Sequence, residues 1–164
     1  MIILGIDPGI ALVGYGVISF DGNRIRCLEY GCIETKANTP ITERLAIVPR
    51  ELDIIIKEFQ PDEIAFEELF FYQNKTTAIM VAQARGVEIL TAIENNVPIY
   101  EYTPLQIKQT ITGYGRATKE QMQRSVQGLL RLSDIPKPDG AADGLAIAIC
   151  HAFGQRFKEQ NLMR

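Results

Sequence analysis

Tryptophan is absent from this 164-residue sequence, and histidine and cysteine are scarce, with one and three copies. Cys27, Cys32 and Cys150 include no Cys-x-x-Cys pair, so we expect reduced thiols rather than a disulfide framework. A zinc site built from histidine and cysteine is not expected either, because His151 is the only histidine. Its neighbours are apolar, which predicts a structural or partly exposed residue.

Long hydrophobic runs are also missing. The longest, Leu145–Cys150, is far shorter than the ~18 residues that a membrane-spanning helix needs. The N-terminus shows no basic region followed by a cleavage site. We therefore predict a cytoplasmic protein without a membrane span. The length suits one domain over residues 1–164 and is too short for two comfortable ones.

The charge is distributed unevenly along the chain. A net charge of −3 argues by itself against nucleic acid binding. However, residues 1–70 carry −6 and residues 71–164 carry +3, and the segment Lys108–Lys137 alone carries +4. This asymmetry is compatible with a basic binding face on an acidic protein, and equally with a solvated helical surface.

Short apolar runs between turn residues predict five strands, and longer runs with helical spacing predict five helices. Thr42 and Thr118 are suited to cap helices, and Asp21-Gly22-Asn23 is typical of a hairpin turn. Three antiparallel strands followed by alternating helices and strands indicate an α/β domain with a mixed sheet. The predicted strands are Ile2–Ile6, Val13–Phe20, Ile25–Ile33, Glu63–Glu68 and Val97–Tyr102, and the predicted helices run over Thr42–Phe59, Thr76–Asn95, Pro104–Ile111, Thr118–Leu132 and Asp139–Phe157.

Acidic residues stand at three matching places in this predicted fold. Asp7 ends the first strand, and Glu67 with Glu68 ends the fourth. Asp139 and Asp143 are four residues apart in the last helix, and hence on one face. Each has an ordinary structural explanation alone, as a turn residue, a strand end or a partner of the helix dipole. Gathered carboxylates repel one another unless a cation joins them, which favours a site for Mg²⁺ or Mn²⁺.

Five short motifs follow one another along the chain: Gly5–Gly9, Gly14–Val17, Gln83–Gly86, Lys108–Thr110 and Ala141–Ala148. In order and spacing they resemble the RuvC family of Holliday-junction resolvases, over nearly the whole chain. The resemblance implies an RNase H-like fold with a five-stranded mixed sheet and flanking helices. It implies symmetrical, metal-dependent nicking of four-way DNA junctions in homologous recombination and repair.

The same resemblance implies two kinds of protein partner. One is a second copy of the chain, since two strands must be nicked symmetrically. The predicted helix Thr76–Asn95 is apolar on more than one side, which indicates burial in a core or in a dimer interface. The other implied partner is a branch-migration complex of RuvA with RuvB.

By the resemblance, Asp7 and Glu67 match the first two catalytic acids of the family, and Asp143 matches the aspartate of its closing Ala-Ala-Asp motif. The family usually has another metal-binding side chain three residues before that aspartate, where this chain has Gly140. Asp139 could substitute from the adjacent position. We therefore predict that these four acids are catalytic and bind metal, with two Mg²⁺ ions per site or Mn²⁺ in their place.

Four residues are predicted to bind DNA. Lys108 and Lys119 match family lysines near the scissile phosphate, and Phe70 matches an aromatic residue that stacks on unpaired bases at the junction centre. Arg116 adds a positive charge in a flexible loop of the basic segment. The ordinary alternatives are surface cations and a core phenylalanine.

Two other functions stay open at this point. The glycine at position 140 is compatible with a non-catalytic junction-binding protein, which a test for metal-dependent nicking would identify. Actin-like ATPases and sugar kinases also begin with a strand, an Asp-x-Gly loop and a returning strand, and ATP hydrolysis would identify them. The chain is too short for their two domains and has no convincing second phosphate loop.

Overall fold

One mixed sheet of five strands organises the computed structural model, which describes residues 1–69 and 75–164. The strands are β1 (Ile2–Asp7), β2 (Leu12–Phe20), β3 (Ile25–Glu34), β4 (Glu63–Glu67) and β5 (Ile99–Tyr102). Their order across the sheet is β3-β2-β1-β4-β5. The first three pair antiparallel, and β4 and β5 run parallel to β1. The predicted mixed sheet is confirmed.

Helices cover both faces of this sheet. Within the described ranges they are α1 (Ile41–Phe59), α2 (Lys75–Glu94), α3 (Pro104–Thr112), α4 (Lys119–Leu130) and α5 (Asp139–Phe153), followed by a 3₁₀ segment over Gln155–Asn161. One hydrophobic core joins α3, α4 and α5 to the sheet, and a second core joins α1 and α2 to its other face. None of the helices described is long and apolar enough to cross a membrane.

The predicted helix ends are right at some positions and wrong at others. Thr118 caps α4 as predicted, since its hydroxyl accepts a hydrogen bond from the Gln121 N–H at 3.1 Å. The predicted cap at Thr42 is wrong, because α1 begins at Ile41 directly after Pro40 and no side chain caps it. The last helix ends at Phe153 rather than Phe157, because the chain tightens into the 3₁₀ segment after Gly154.

Helix α5 packs directly onto β1 and β2, and most of its residues are buried. The approach is close because glycines face one another across the contact. A Cβ atom on Gly16 would lie 2.5 Å from the Leu145 nitrogen, and one on Gly144 would lie 2.5 Å from the Tyr15 carbonyl carbon. Both distances are far below a normal contact. The glycines therefore fix how α5 lies on the sheet, with its N-terminus at the end of β1.

His151 is completely buried, so the prediction of a structural residue is confirmed and the partly exposed alternative is wrong. One ring nitrogen lies 3.0 Å from a Glu63 oxygen, and the other contacts the Tyr102 hydroxyl. The second Glu63 oxygen pairs with Lys158 at 2.8 Å. This network ties the 3₁₀ segment to the start of β4, at the end of that strand away from Glu67.

Two helical glycines make the α5 contact testable. Gly144→Ala should destabilise the fold by about 1–3 kcal/mol, because the new methyl group would meet backbone atoms of β2. Gly128→Ala in α4 is the matched control, since a Cβ there meets nothing within 4 Å. It should leave stability unchanged or raise it by up to about 1 kcal/mol. Urea denaturation measures both, and equal effects would contradict the packing account.

Candidate active site

Two carboxylates lie side by side because β1 and β4 are parallel neighbours. The register pairs Ile6 with Phe66, so Asp7 and Glu67 follow at the same edge of the sheet. Asp143 reaches this edge from the second turn of α5. Asp7 is hydrogen-bonded to both of the other acids. The structure thus brings together three of the four acids that the sequence predicts.

Burial and the charges of neighbouring acids raise the pKa of each of these three carboxyl groups. Burial, and then the charges of Glu67 and Asp143, raise the pKa of Asp7 well above its usual value. Burial also raises the pKa of Glu67 and that of Asp143. The positive charge of Lys119 opposes the shift at both, and Lys108 opposes it at Glu67. The site therefore contains more carboxylate than its nearby lysines can neutralise.

Asp139 lies at the rim of this cluster. Its side chain is 63% exposed, and its two oxygens lie 3.1 Å from the Gln123 amide nitrogen and 3.5 Å from the Lys119 ammonium. Lys119 is also 3.9 Å from Asp143, so it links Asp139 to the cluster. A capping role for the Asp139 side chain is wrong, because Pro138 holds the N-cap position and no side chain bonds there.

Cys32 borders the space that a side chain at position 140 would need. A Cβ on Gly140 would lie 3.3 Å from the Cys32 sulfur and 3.4 Å from the Gly14 Cα. The thiol also lies close to the acids, since burial and then the charge of Asp7 raise its pKa. A lone cysteine in a strand carries no sequence pattern that marks it, so its place here was not predicted.

Both predicted lysines line a pocket beside the acids. It has a volume of about 240 Å³ and is lined by Glu67, Lys108, Lys119 and Asp143 together with apolar side chains of α3, α4 and α5. Lys108 comes from α3, and Lys119 is the first residue of α4. Cations and carboxylates therefore share one recess, which suits a phosphate group held against a metal site.

Of the other two predicted DNA-binding residues, Arg116 lies within the described part of the chain. Arg116 is exposed in the loop between α3 and α4, two residues after Tyr114, an aromatic side chain that is 56% exposed. Phe70 is outside the described residues, so its role stays a prediction. Tyr114 is therefore an exposed aromatic side chain in the same loop as Arg116.

Sequence reasoning also missed a buried acid behind Asp7. Glu88 of α2 has no exposed surface, and neither carboxylate oxygen has a good hydrogen-bond partner among the described residues. Burial raises its pKa well above the usual value, and Arg85 and the Gly9 backbone only partly oppose this. The sequence signal for this buried acid is a single glutamate within the apolar run Val87–Leu90. Glu88 therefore lies against the loop that follows Asp7, on the side of α2.

The loop after Asp7 is held from a second side as well. The Thr35 hydroxyl donates a hydrogen bond to the Ile10 carbonyl, and the Arg44 Nε donates to the Thr35 oxygen at 2.9 Å. Both side chains are buried. The backbone that carries Asp7 is therefore fixed by α1 and β3 before any ligand binds.

The donor set fits a hard divalent cation, because three converging carboxylates offer anionic oxygens and lack neutralising charge. In this structure the Asp7 carboxyl group is hydrogen-bonded to those of Glu67 and Asp143. No three acidic, histidine or cysteine side chains of residues 1–69 and 75–164 are already spaced to hold an ion. Metal binding would therefore displace shared protons and turn the carboxylates toward the ion.

Comparison with known proteins places this geometry in a family. The family model described as "Crossover junction endodeoxyribonuclease RuvC" matches residues 3–151. A protein of that description from Finegoldia magna is 56% identical over 164 residues and is covered completely, as is this chain. Another from Clostridioides difficile is 51% identical over 159 residues, which cover 97% of this chain and 94% of the relative.

Solved structures agree. Thermus thermophilus RuvC in complex with a Holliday junction substrate superposes with a TM-score of 0.90 at 38% identity, over 95% of each chain. The yeast mitochondrial Holliday junction resolvase Ydc2 shares the fold with a TM-score of 0.64 at 14% identity, over 96% of this chain and 85% of that one. The predicted RNase H-like fold is confirmed.

The clustered acids should cost the free protein stability at neutral pH. Because the folded-state pKa of Asp7 is raised, the carboxyl favours folding at low pH, and this contribution is lost as the pH rises above its ordinary value of 3.8. The Asp7→Asn substitution removes the ionisable group, and with it the loss of stability at higher pH. Without divalent metal, we expect it to be more stable than the wild type by at least about 1 kcal/mol at pH 7, and by less at pH 4.

Urea denaturation in the presence of a chelator measures this difference. Asp139→Asn, at the exposed rim, is the matched control and should change stability little at either pH. An Asp7→Asn variant that is less stable than the wild type at pH 7 would contradict the electrostatic account.

Proposed function

Since this chain belongs to the RuvC family and is a Holliday-junction resolvase, we propose that Asp7, Glu67 and Asp143 form the site that nicks the junction strands. The observation that carries this proposal is the convergence of three carboxylates with raised pKa values beside two lysines. The nuclease domain comprises residues 1–164. The resemblance to ATP-binding proteins has no observation in its favour.

The cofactor of this proposal is Mg²⁺, or Mn²⁺ in its place, with two ions per site. Asp7, Glu67 and Asp143 would hold it through their oxygens. Ions of this class supply an activated water and stabilise the leaving oxygen of a phosphodiester. The protein contributes a fixed Asp7 backbone, and Lys108 and Lys119 hold the scissile phosphate against the acids. Asp139 stays a predicted ligand, which must leave Gln123 and Lys119 to reach an ion.

Junction DNA is proposed to meet the protein around this recess. Lys108 and Lys119 would contact phosphates beside the cut, and Arg116 would contact a phosphate from the exposed loop between α3 and α4. Phe70 would stack on an unpaired base. A branch-migration complex of RuvA with RuvB is the proposed protein partner, on the family resemblance alone.

An exposed stripe on α2 supports the proposed homodimer. Exposed positions recur at alternating intervals of four and three residues, at Ile79, Gln83, Gly86, Leu90 and Ile93. The three apolar members are 51–61% exposed. This spacing is typical of helices that pack along one another, and Gly86 would allow close approach. A two-fold dimer would cover the stripe and supply the two active sites that symmetrical nicking requires.

Charge removal at the cluster tests the nuclease site. Asp7→Asn should lower the nicking rate of a synthetic four-way junction in Mg²⁺ by more than about 100-fold, since even outer-shell metal partners contribute 10–100-fold. Junction binding should persist, because the lysines remain.

Asp139→Asn should slow nicking by about tenfold or more if Asp139 is a ligand. The asparagine side chain keeps an oxygen that can accept the hydrogen bond from Gln123, but it carries no negative charge.

The assay compares the junction with a linear duplex, with and without Mg²⁺, and a gel shift without metal measures binding. Asp53→Asn on α1 is the control, because Asp53 contacts only Lys57 and Asn95 among the described residues. Normal nicking by Asp7→Asn would rule out the assigned site. Full activity of Asp139→Asn would remove only Asp139 from it.

Substitution in the α2 stripe tests the dimer. Leu90→Glu should produce a monomer at about 10 µM, because burying an unpaired carboxylate in an apolar interface is costly. Sedimentation measures the state, and paired nicking of the junction should be lost with it. Ile54→Glu on α1 is the control, since Ile54 is 55% exposed and lies outside the stripe. A wild type that is monomeric both free and on junction DNA would disprove the dimer.

A further inference from the structure

A groove at the far end of the sheet carries positive charge alone. It has a volume of about 870 Å³ and lies between the start of β3 and the end of α4. Asp7 ends β1, whereas β3 begins opposite Phe20, whose backbone bonds to the first residue of the chain. Among the described residues no acid lines the groove, although the whole chain is acidic. Three arginines do: Arg24, Arg26 and Arg131.

Two of these arginines have no ion-pair partner among the described residues. Arg26 and Arg131 are exposed, and neither forms an ion pair within the part of the chain that is described. Arg24 lies on the hairpin beside Asp21. The uncompensated charge of the groove therefore comes from one residue of the edge strand β3 and one at the end of α4.

The backbone at Arg131 favours a different residue. Arg131 ends α4 in the left-handed conformation, with φ 54° and ψ 43°, where glycine is the usual choice because any side chain costs roughly 1 kcal/mol. Its N–H still bonds to the last carbonyls of the helix. Gln60 ends α1 in the same conformation, so the backbone alone does not distinguish Arg131; what distinguishes it is that its side chain lines the groove.

Helix α4 connects this groove to the active site. Lys119 begins the helix beside Asp143, and Arg131 follows its last residue, so about 18 Å separate the two charges along the helix. A second groove beside α4 is lined by Arg124 and Lys137 and also by Asp134, so it carries both signs of charge. Arg124 is paired with Glu120 at 2.8 Å. The uncompensated positive charge therefore lies at the Arg131 end of α4, in the first groove.

We propose that the groove at Arg26 and Arg131 binds the phosphate backbone of a junction arm, about five base pairs from the nicked phosphate. That separation follows from the length of α4 and the rise of ~3.4 Å per base pair. DNA fits better than a protein partner, since the charge is of one sign and the molecule acts on a polyanion. The inference rests on the junction-resolving function and adds a second contact surface to it.

The test uses a double variant, Arg26→Gln with Arg131→Gly, and two substrates. Both junctions have arms of about 15 base pairs, and in the second, the neutral-arm junction, uncharged methylphosphonates replace the phosphates about four to seven base pairs from the crossover. Arg50→Gln on α1 is the control, because Arg50 is exposed on the other face of the sheet. Affinity is measured without divalent metal at several salt concentrations, nicking is measured at saturating protein, and stability is measured by urea.

The double variant should bind the fully charged junction roughly tenfold more weakly, with a salt slope reduced by about two per protomer. It should match the wild type on the neutral-arm junction and in nicking when saturated, and it should be at least as stable, because glycine relieves the backbone at position 131. Unchanged affinity for the fully charged junction, or an equal loss on both substrates, would overturn the groove assignment. A wild type that nicks neither junction would instead overturn the function on which it rests.

Discussion

The close contact of α5 with β1 and β2 is the constraint on which the site depends. Glycines on both elements let backbone meet backbone, and any larger residue at Gly16 or Gly144 would push the helix away. The helix then brings Asp143 to Asp7, while the parallel pairing of β1 with β4 brings Glu67 to the same edge. Three acids that are distant in sequence become neighbours through backbone geometry alone.

This placement has an electrostatic cost that function explains. Burial and repulsion raise the pKa values of all three carboxylates, and the lysines only partly compensate. A fold selected for stability alone would place apolar side chains here. The supports around Asp7, among them buried Glu88 and the Thr35–Arg44 pair, hold the loop despite that cost. A bound divalent cation would offset the repulsion among the carboxylates, so their clustering would favour binding of the ion.

Much of this could be predicted from the sequence, because acids at strand ends and at a helix start are local patterns. Those patterns predict an acidic site from Asp7, Glu67 with Glu68, and Asp139 with Asp143, and the family resemblance favours Asp7, Glu67 and Asp143, which the structure brings together. The position of Asp139 could not be predicted, since spacing places it on the right face but cannot show that Gln123 and Lys119 hold it at the rim. The roles of side chains from other elements, such as Cys32 beside Gly140, depend on tertiary contacts that no local pattern encodes.

The central claim is that these carboxylates are gathered to bind a divalent cation. Calorimetric titration of the protein with Mn²⁺ at two pH values, each in two buffers of different ionisation enthalpy, measures it directly. The account predicts that binding releases protons and releases fewer at the higher pH, because the raised pKa of Asp7 favours its protonated form and the ion binds the deprotonated one. Asp7→Asn should bind Mn²⁺ much more weakly. Binding that releases no protons, or that is equally strong in Asp7→Asn, would contradict it.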